Sequence, residues 1–204
     1  RSWPDLLPST PDTLHRRTGR RAELGIGEVT PMLLFGGSGC RTKGLDRALQ
    51  ARAGRPGDAR LFVVGEDKAA PYQRQARRLG LEGRVHFMGG RDDVPAWLWA
   101  ADLLVHPAYA ENTGTVLLEA AIAGLPVLTT RACGYADYIR DADLGRVLDD
   151  PTPESLAAAA RELLALDRPA WWEKAARFAE QADIYSLTDH AVDAIEGEPP
   201  GAGQ

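Results

Sequence analysis

The stretch Tyr109-Ala110-Glu111-Asn112-Thr113-Gly114-Thr115-Val116-Leu117-Leu118-Glu119-Ala120 carries two carboxylates separated by seven residues. Its apolar second half predicts a helix over Thr115–Ala123, which puts Glu111 on the loop before the helix and Glu119 roughly a turn and a half into it. A carboxylate accepts two hydrogen bonds in a fork, a match for a vicinal diol such as a ribose. The amides of Gly114, Thr115 and Val116 precede the first intrahelical bonds, so they form an anion site at the helix start. Phosphate at the amides and hydroxyls at the acids would together describe a sugar nucleotide. On pattern alone a plainer reading stands beside this one, with Glu111 merely favouring the helix dipole and Glu119 on a solvated face. Against it, Glu119 sits among Leu117, Leu118 and Ala120 to Ala123, where a charge needs a partner.

A second candidate is Gly36-Gly37-Ser38-Gly39-Cys40-Arg41-Thr42-Lys43-Gly44. Glycines let the backbone approach a ligand, here at Gly37 and Ser38, and Lys43 with Arg41 can neutralise a diphosphate. The segment is neither GxGxxG nor a Walker loop, since GK[ST] is missing, and a Gly-rich turn with solvated cations is the alternative. Cys40 and Cys133 are far apart and form no CxxC, so no zinc site is expected, and two lone thiols fit a reducing compartment. No acidic pair has metal-ligand spacing, and no metal or cofactor is expected.

The elements that must position these residues follow a rhythm. Short apolar runs at Met32–Phe35, Leu61–Val64, Val85–Met88, Leu103–Val105, Val127–Thr129 and Gly145–Leu148 alternate with helical patterns at Leu45–Ala53, Tyr72–Leu79, Val94–Trp99, Thr115–Ala123 and Tyr135–Ile139. Continuous apolar runs mark strands buried on both faces of a parallel sheet, and right-handed crossovers place helices on both sides. The expected fold is α/β, a doubly wound Rossmann-like parallel sheet of about six strands, which binds ligands outside the carboxyl ends of its strands. Three helices are expected to follow, over Glu154–Leu166, Pro169–Gln181 and Leu187–Ile195.

At 204 residues one core is affordable without disulfides. A net charge of -5 argues against a general polyanion binder, so no nucleic-acid partner is expected, although Arg16, Arg17, Arg20 and Arg21 leave room for a local basic patch. There is no signal peptide and no apolar run near 18 residues, which points to the cytoplasm. The chain opens on Arg1 with Pro4, Pro8 and Pro11 nearby, which reads as an excised C-terminal domain, with a natural short protein with processed ends as the alternative. The expected division is a linker with a short helix (Thr13–Leu24) over 1–24, a nucleotide-sugar-binding domain over 25–197 and a frayed tail over 198–204.

The Glu-x7-Glu pair after a run ending in His106-Pro107, with Gly124-Leu125-Pro126-Val127 opening the next strand, resembles glycosyltransferase family 4, retaining enzymes of the two-domain GT-B fold. Within the family the chain is most similar to the branch that glucosylates inner-core heptose of lipopolysaccharide. That likeness rests on Lys43-Gly44-Leu45-Asp46-Arg47, on Leu61 to Lys68, Ala101 to Tyr109 and Cys133 to Ile139, and on Ile184-Tyr185-Ser186-Leu187. It covers residues 20 to 197 and implies the C-terminal, donor-binding half of such an enzyme. A UDP-sugar, UDP-glucose first, would be the donor. A lipid-linked oligosaccharide acceptor, and any membrane contact, would belong to a missing N-terminal domain.

The resemblance also assigns roles. Lys43 matches the phosphate-binding lysine; its usual arginine neighbour falls at Thr42, where this chain departs, with Arg41 one residue away as a substitute. Gly89-Gly90-Arg91 matches the base-contacting loop, Glu119 the ribose-binding acid, and Glu111 the acid facing the donor sugar. Asn112, Thr113, Gly114 and Thr115 match the stretch whose amides touch sugar and phosphate. Glu111 would position the sugar and stabilise positive charge, with Lys43 and the amides stabilising the departing phosphate and no metal required. Other residues read first as structural: His106 capping a strand, with lining of the sugar site as the alternative, His86 in the sheet, and Trp97, Trp99, Trp171 and Trp172 in helix packing. A nucleotide-binding module without transfer chemistry, and a GT-B epimerase or phosphorylase, are the competing classes.

Overall fold

A computed structural model describes residues 11–54 and 57–181. The Pro-rich opening, the helix expected over Leu187–Ile195, the segment Asp183–Ser186 and the tail over 198–204 lie outside the described residues. All six apolar runs are strands: β1 (Met32–Gly36), β2 (Arg60–Val64), β3 (Val85–Gly89), β4 (Leu103–His106), β5 (Val127–Thr130) and β6 (Gly145–Leu148). They form one sheet in the order β3-β2-β1-β4-β5-β6, every pair parallel. Five of the strands run one residue beyond their apolar run, because ladder pairing uses only the backbone and Gly36, Arg60, Gly89, His106 and Thr130 can all supply it.

The alternation of side chains sorts the core into two layers. Met32 and Leu34 of β1 face one layer with Phe62, Trp97, Leu118 and Phe178; Leu33 and Phe35 face the other with Leu45, Leu49, Val63 and Leu156. The helices are α1 (Pro11–Glu23), α2 (Leu45–Ala53), α3 (Ala70–Arg78), α4 (Val94–Ala100), α5 (Thr115–Ile122), α6 (Ala136–Asp141), α7 (Pro153–Ala165) and α8 (Arg168–Gln181). They sit within two residues of the expected bounds, α6 included, which starts one residue later and runs on to Asp141. Trp97, Trp99 and Trp171 are buried packing residues, and His86 stacks on Phe62 within the sheet (ring centroids 4.6 Å apart). Among the described residues no helix is long and apolar enough to cross a membrane.

The arginines of α1 do not make a basic surface patch. Arg17 and Arg21 are buried, 7% and 0% exposed. Arg17 donates to the carbonyls of Trp99, Ala100 and Ala101, which lie at the end of α4 where helical acceptors lack partners. Arg17, Arg21 and Arg168 converge on the carboxylate of Asp102, at 2.8, 3.1 and 2.5 Å, and Asp102 also accepts from the Met32 amide. This knot ties α1 and α8 to the amino-terminal edge of the sheet. Burial alone would raise the Asp102 pKa, but Arg17, Arg168, the Met32 amide and Arg21 outweigh it and lower the value below 3.8. Burial, with Arg168 adding to it against Asp102, lowers Arg17 to about 10.

Asp102→Ala strands three partly desolvated guanidinium groups and is expected to cost about 3 kcal/mol, seen as a lower urea midpoint at unchanged slope. Because folding depresses the Asp102 pKa, its contribution is present above 3.8 and is lost as the pH falls further. A wild-type midpoint in the alanine variant at pH 7 would contradict this account.

Candidate functional site

The two sequence candidates leave the sheet from β1 and β4, neighbours on which the winding reverses, and such a reversal opens a crevice at the strands' carboxyl ends. The loop after β1 is pinned at both ends. Gly37 N–H donates to Val64 O (2.9 Å), and Cys40 N–H donates to the Asp67 carboxylate (2.7 Å). At its far end Gly44 has φ 74, a left-handed conformation, and a Cβ there would lie 2.1 Å from Pro107 O. Only glycine permits that approach, so the Lys43 loop rests directly on the exit of β4.

The loop after β4 is tied back at several points. The amides of Tyr109 and Ala110 both donate to Thr42 O (2.8 and 3.3 Å). Tyr109 Oη donates to Asp46 at 2.7 Å, with the Arg47 guanidinium 3.7 Å over its ring. Thr130 Oγ1 donates to Ala108 O (2.7 Å), Glu111 N–H donates to Ala132 O (3.1 Å), and Glu111 forms an isolated parallel bridge with Cys133. Glu111 is thereby held from both neighbouring strands.

These ties bring Lys43 and Glu111 together. Their side chains are 18% and 16% exposed and form an ion pair, with the lysine stem lying against Gly37. Beneath them His106, 0% exposed, points Nε2 to within 3.8 Å of the Glu111 carboxylate. Burial and then the Lys43 charge depress the imidazole pKa to about 4, with Glu111 opposing, so His106 is neutral near pH 7. The helix α5 begins at Thr115 after Gly114; Leu117 N–H turns back onto Gly114 O, and the Thr115 and Val116 amides stand at the first turn. Val116 lies against Gly36 at the end of β1, and half-buried Glu119, three residues on, shares that helix face. Asn112 and Thr113 occupy the loop between, Tyr135 N–H donating to Thr113 O (3.1 Å).

Across the ends of β1, β2 and β3 lies an open cleft of about 520 Å³, lined by Gly37, Ser38, Gly65, Glu66, Gly90 and Arg91 among others. Gly65 admits no side chain, since a Cβ would lie 2.3 Å from Gly37 O; this contact closes the cleft floor. Gly89 O accepts from Gly65 N–H (2.9 Å). The Arg91 guanidinium is held flat by Asp93, through Nε at 3.0 Å and Nη2 at 3.1 Å. That contact, with Trp97 and Arg20 adding to it, keeps Asp93 below the usual carboxylate range.

Arg41 departs from Lys43. It is exposed and lies near enough to Tyr72 of α3 that its charge opposes the burial that raises the Tyr72 pKa. Sequence reasoning did not find Asp67 and Glu66, although both stand directly after β2, nor the Tyr109 clamp, nor the orphaned burial of His106. Among the described residues no group of three or more His, Cys, Asp and Glu is placed to hold a metal.

A family model described as glycosyl transferases group 1 matches residues 17–184. The chain is 47% identical over 184 residues to the lipopolysaccharide glucosyltransferase WaaG of Escherichia coli, a match covering 87% of this chain and 49% of the relative. It is 32% identical over 146 residues to the lipopolysaccharide core biosynthesis glycosyltransferase LpsE of Rhizobium meliloti, covering 71% and 43%. The crystal structure of WaaG, a glycosyltransferase involved in lipopolysaccharide biosynthesis, matches at TM-score 0.84 and 44% identity over 96% of this chain and 54% of that one. HepE from Anabaena in complex with UDP-glucose shares the fold at TM-score 0.76 and 22% identity, over 95% and 55%. The chain spans about half the length of the curated relatives it matches.

The buried imidazole makes stability depend on pH. The unfolded chain takes up a proton at His106 near pH 6.5 and the folded one near pH 4, so stability present above 6.5 declines as the pH falls between these values. Urea unfolding is expected to show a loss of about 3 kcal/mol from this residue over that window, and His106→Gln is expected to remove the corresponding slope. An unchanged slope in the variant would assign the acid sensitivity elsewhere, His86 included.

Proposed function

The chain belongs to the glycosyl transferases group 1 family, and from that premise we propose that it is the donor-binding half of a retaining, metal-independent hexosyltransferase using a UDP-sugar, UDP-glucose first. The observation that carries this reading is the convergence of Lys43, Glu111 and the start of α5 at the sheet's carboxyl edge. A diphosphate sits between the Lys43 ammonium and the amides of Thr115 and Val116. The hexose lies against Glu111 and the stretch Asn112 to Gly114, the ribose diol at Glu119, and the base in the cleft by Gly90 and Arg91. Gly37 and Ser38 form the wall between base and phosphate.

In this arrangement the acceptor hydroxyl attacks from the face that the nucleotide leaves, and the departing phosphate takes its proton. Glu111 orients the hexose and stabilises the positive charge that develops at its anomeric carbon. Lys43 and the α5 amides stabilise the leaving diphosphate in a partly desolvated setting, where fixed charges act strongly. Arg41, exposed at the rim, adds positive potential that draws the donor in. The acceptor, which the family resemblance implies is a lipopolysaccharide core heptose, binds the portion of the relatives' fold that this match does not span.

Calorimetry with UDP-glucose, UDP-galactose and GDP-mannose tests the reading: UDP-sugars are expected to bind and GDP-mannose to bind at least about tenfold more weakly. Lys43→Ala and Glu119→Ala each remove a charge-assisted contact and are expected to weaken UDP-glucose and UDP alike, about tenfold or more. Glu111→Ala is expected to weaken UDP-glucose only. If no carboxylate substitution alters binding, the acidic pair has no part in the site. The isolated 204-residue chain is expected to transfer no sugar, and turnover on a heptose acceptor would overturn that part.

A further inference from the structure

His106 ends β4 with both ring nitrogens buried and without a hydrogen-bond partner among the described residues. Unpaired buried polar groups cost stability and are few in native folds, so each calls for a reason. Packing alone gives none, since an apolar side chain would fill the place beside the stacked ring of Phe35 (centroids 6.1 Å apart) without that cost. The ring is also aimed. Its Nε2 faces the Glu111 carboxylate at 3.8 Å, less than an ångström beyond hydrogen-bonding range, on the same oxygen that Lys43 engages.

Under the proposed function, on which this inference rests, the single Lys43 ammonium has two anionic claimants, Glu111 and the donor diphosphate. As the lysine turns to the diphosphate, a carboxylate only 16% exposed gives up its cation. The group in place to satisfy it is the imidazole N–H. A neutral donor holds the carboxylate without cancelling its charge, which is the charge the anomeric centre requires. Being fully buried, the imidazole touches no ligand in the open cleft and works only through Glu111.

We propose that His106 is a positioning residue, an N–H donor seated under Glu111 that fixes the carboxylate toward the hexose whenever the diphosphate occupies Lys43. The test compares UDP-glucose with UDP by calorimetry on the full chain. His106→Phe keeps the ring and its volume but loses the donor, and is expected to weaken UDP-glucose about tenfold while UDP stays within about twofold. His106→Gln restores an N–H and is expected to recover most of the loss. A ratio of the two affinities that the phenylalanine variant leaves unchanged overturns the proposal, as does a glutamine variant as deficient as phenylalanine.

If the phenylalanine variant does not fold, the wild type supplies the answer through nitrogen-15 spectra of its four histidines. The His106 ring is expected to be the neutral Nε2–H tautomer and to shift on saturation with UDP-glucose; a resonance unmoved by the donor overturns the proposal. A wild-type chain that binds neither ligand removes the proposed function and this inference with it. One that binds UDP-glucose with a preference independent of His106 removes this inference alone.

Discussion

The site depends on two loops that leave neighbouring parallel strands being pressed together until backbone meets backbone. Gly44 against the Pro107 carbonyl is the closest of these approaches, and the Thr42 carbonyl taking both the Tyr109 and Ala110 amides is the tie that holds it. Sheet geometry alone sets β1 and β4 about 5 Å apart and leaves their exits free to splay. The glycine lets them close, and the hydrogen bonds keep them closed. Lys43 and Glu111, 68 residues apart in sequence, meet as a result.

Charge is concentrated at both ends of the sheet, and the two clusters have different consequences. At the amino edge, Asp102 and three arginines bond carbonyls at the end of α4, a strand amide and one another, with the buried Arg21 Nε left over. That cluster joins elements far apart in the chain. At the carboxyl edge Lys43 and Glu111 pair with each other, and the His106 imidazole beneath them has no hydrogen-bond partner among the described residues. Full satisfaction rigidifies a polar cluster, whereas partial satisfaction leaves interactions for something else to complete.

Much of this was legible in the sequence, for physical reasons that differ from place to place. Strands buried on both faces need unbroken apolar runs, so the six strands and their parallel sheet could be read directly. The carboxylates were legible because loop and helix positions follow from where the apolar pattern of α5 begins. Arg17 and Arg21 were not: an arginine on a polar helix looks solvated, and the carbonyls at the end of α4 together with Asp102, all distant in sequence, explain their burial. His106 was read as a strand cap, and its depth and aim depend on Phe35 and Glu111 arriving from other elements. The Arg41 question turns on one residue of loop register, which pattern cannot resolve; the fold sends Lys43 to Glu111 and leaves Arg41 near α3.

Thr42, where the family resemblance would set an arginine, contributes to the contact between the two loops through its main chain. A carbonyl oxygen carries the Tyr109–Ala110 tie, so the contact between the two loops does not run through the side chain of residue 42, whose hydroxyl donates to Gly39 O (3.0 Å) within its own loop. That separates charge from seating: the electrostatic character of the mouth can be redesigned at this position while the backbone tie keeps the loop after β4 in place.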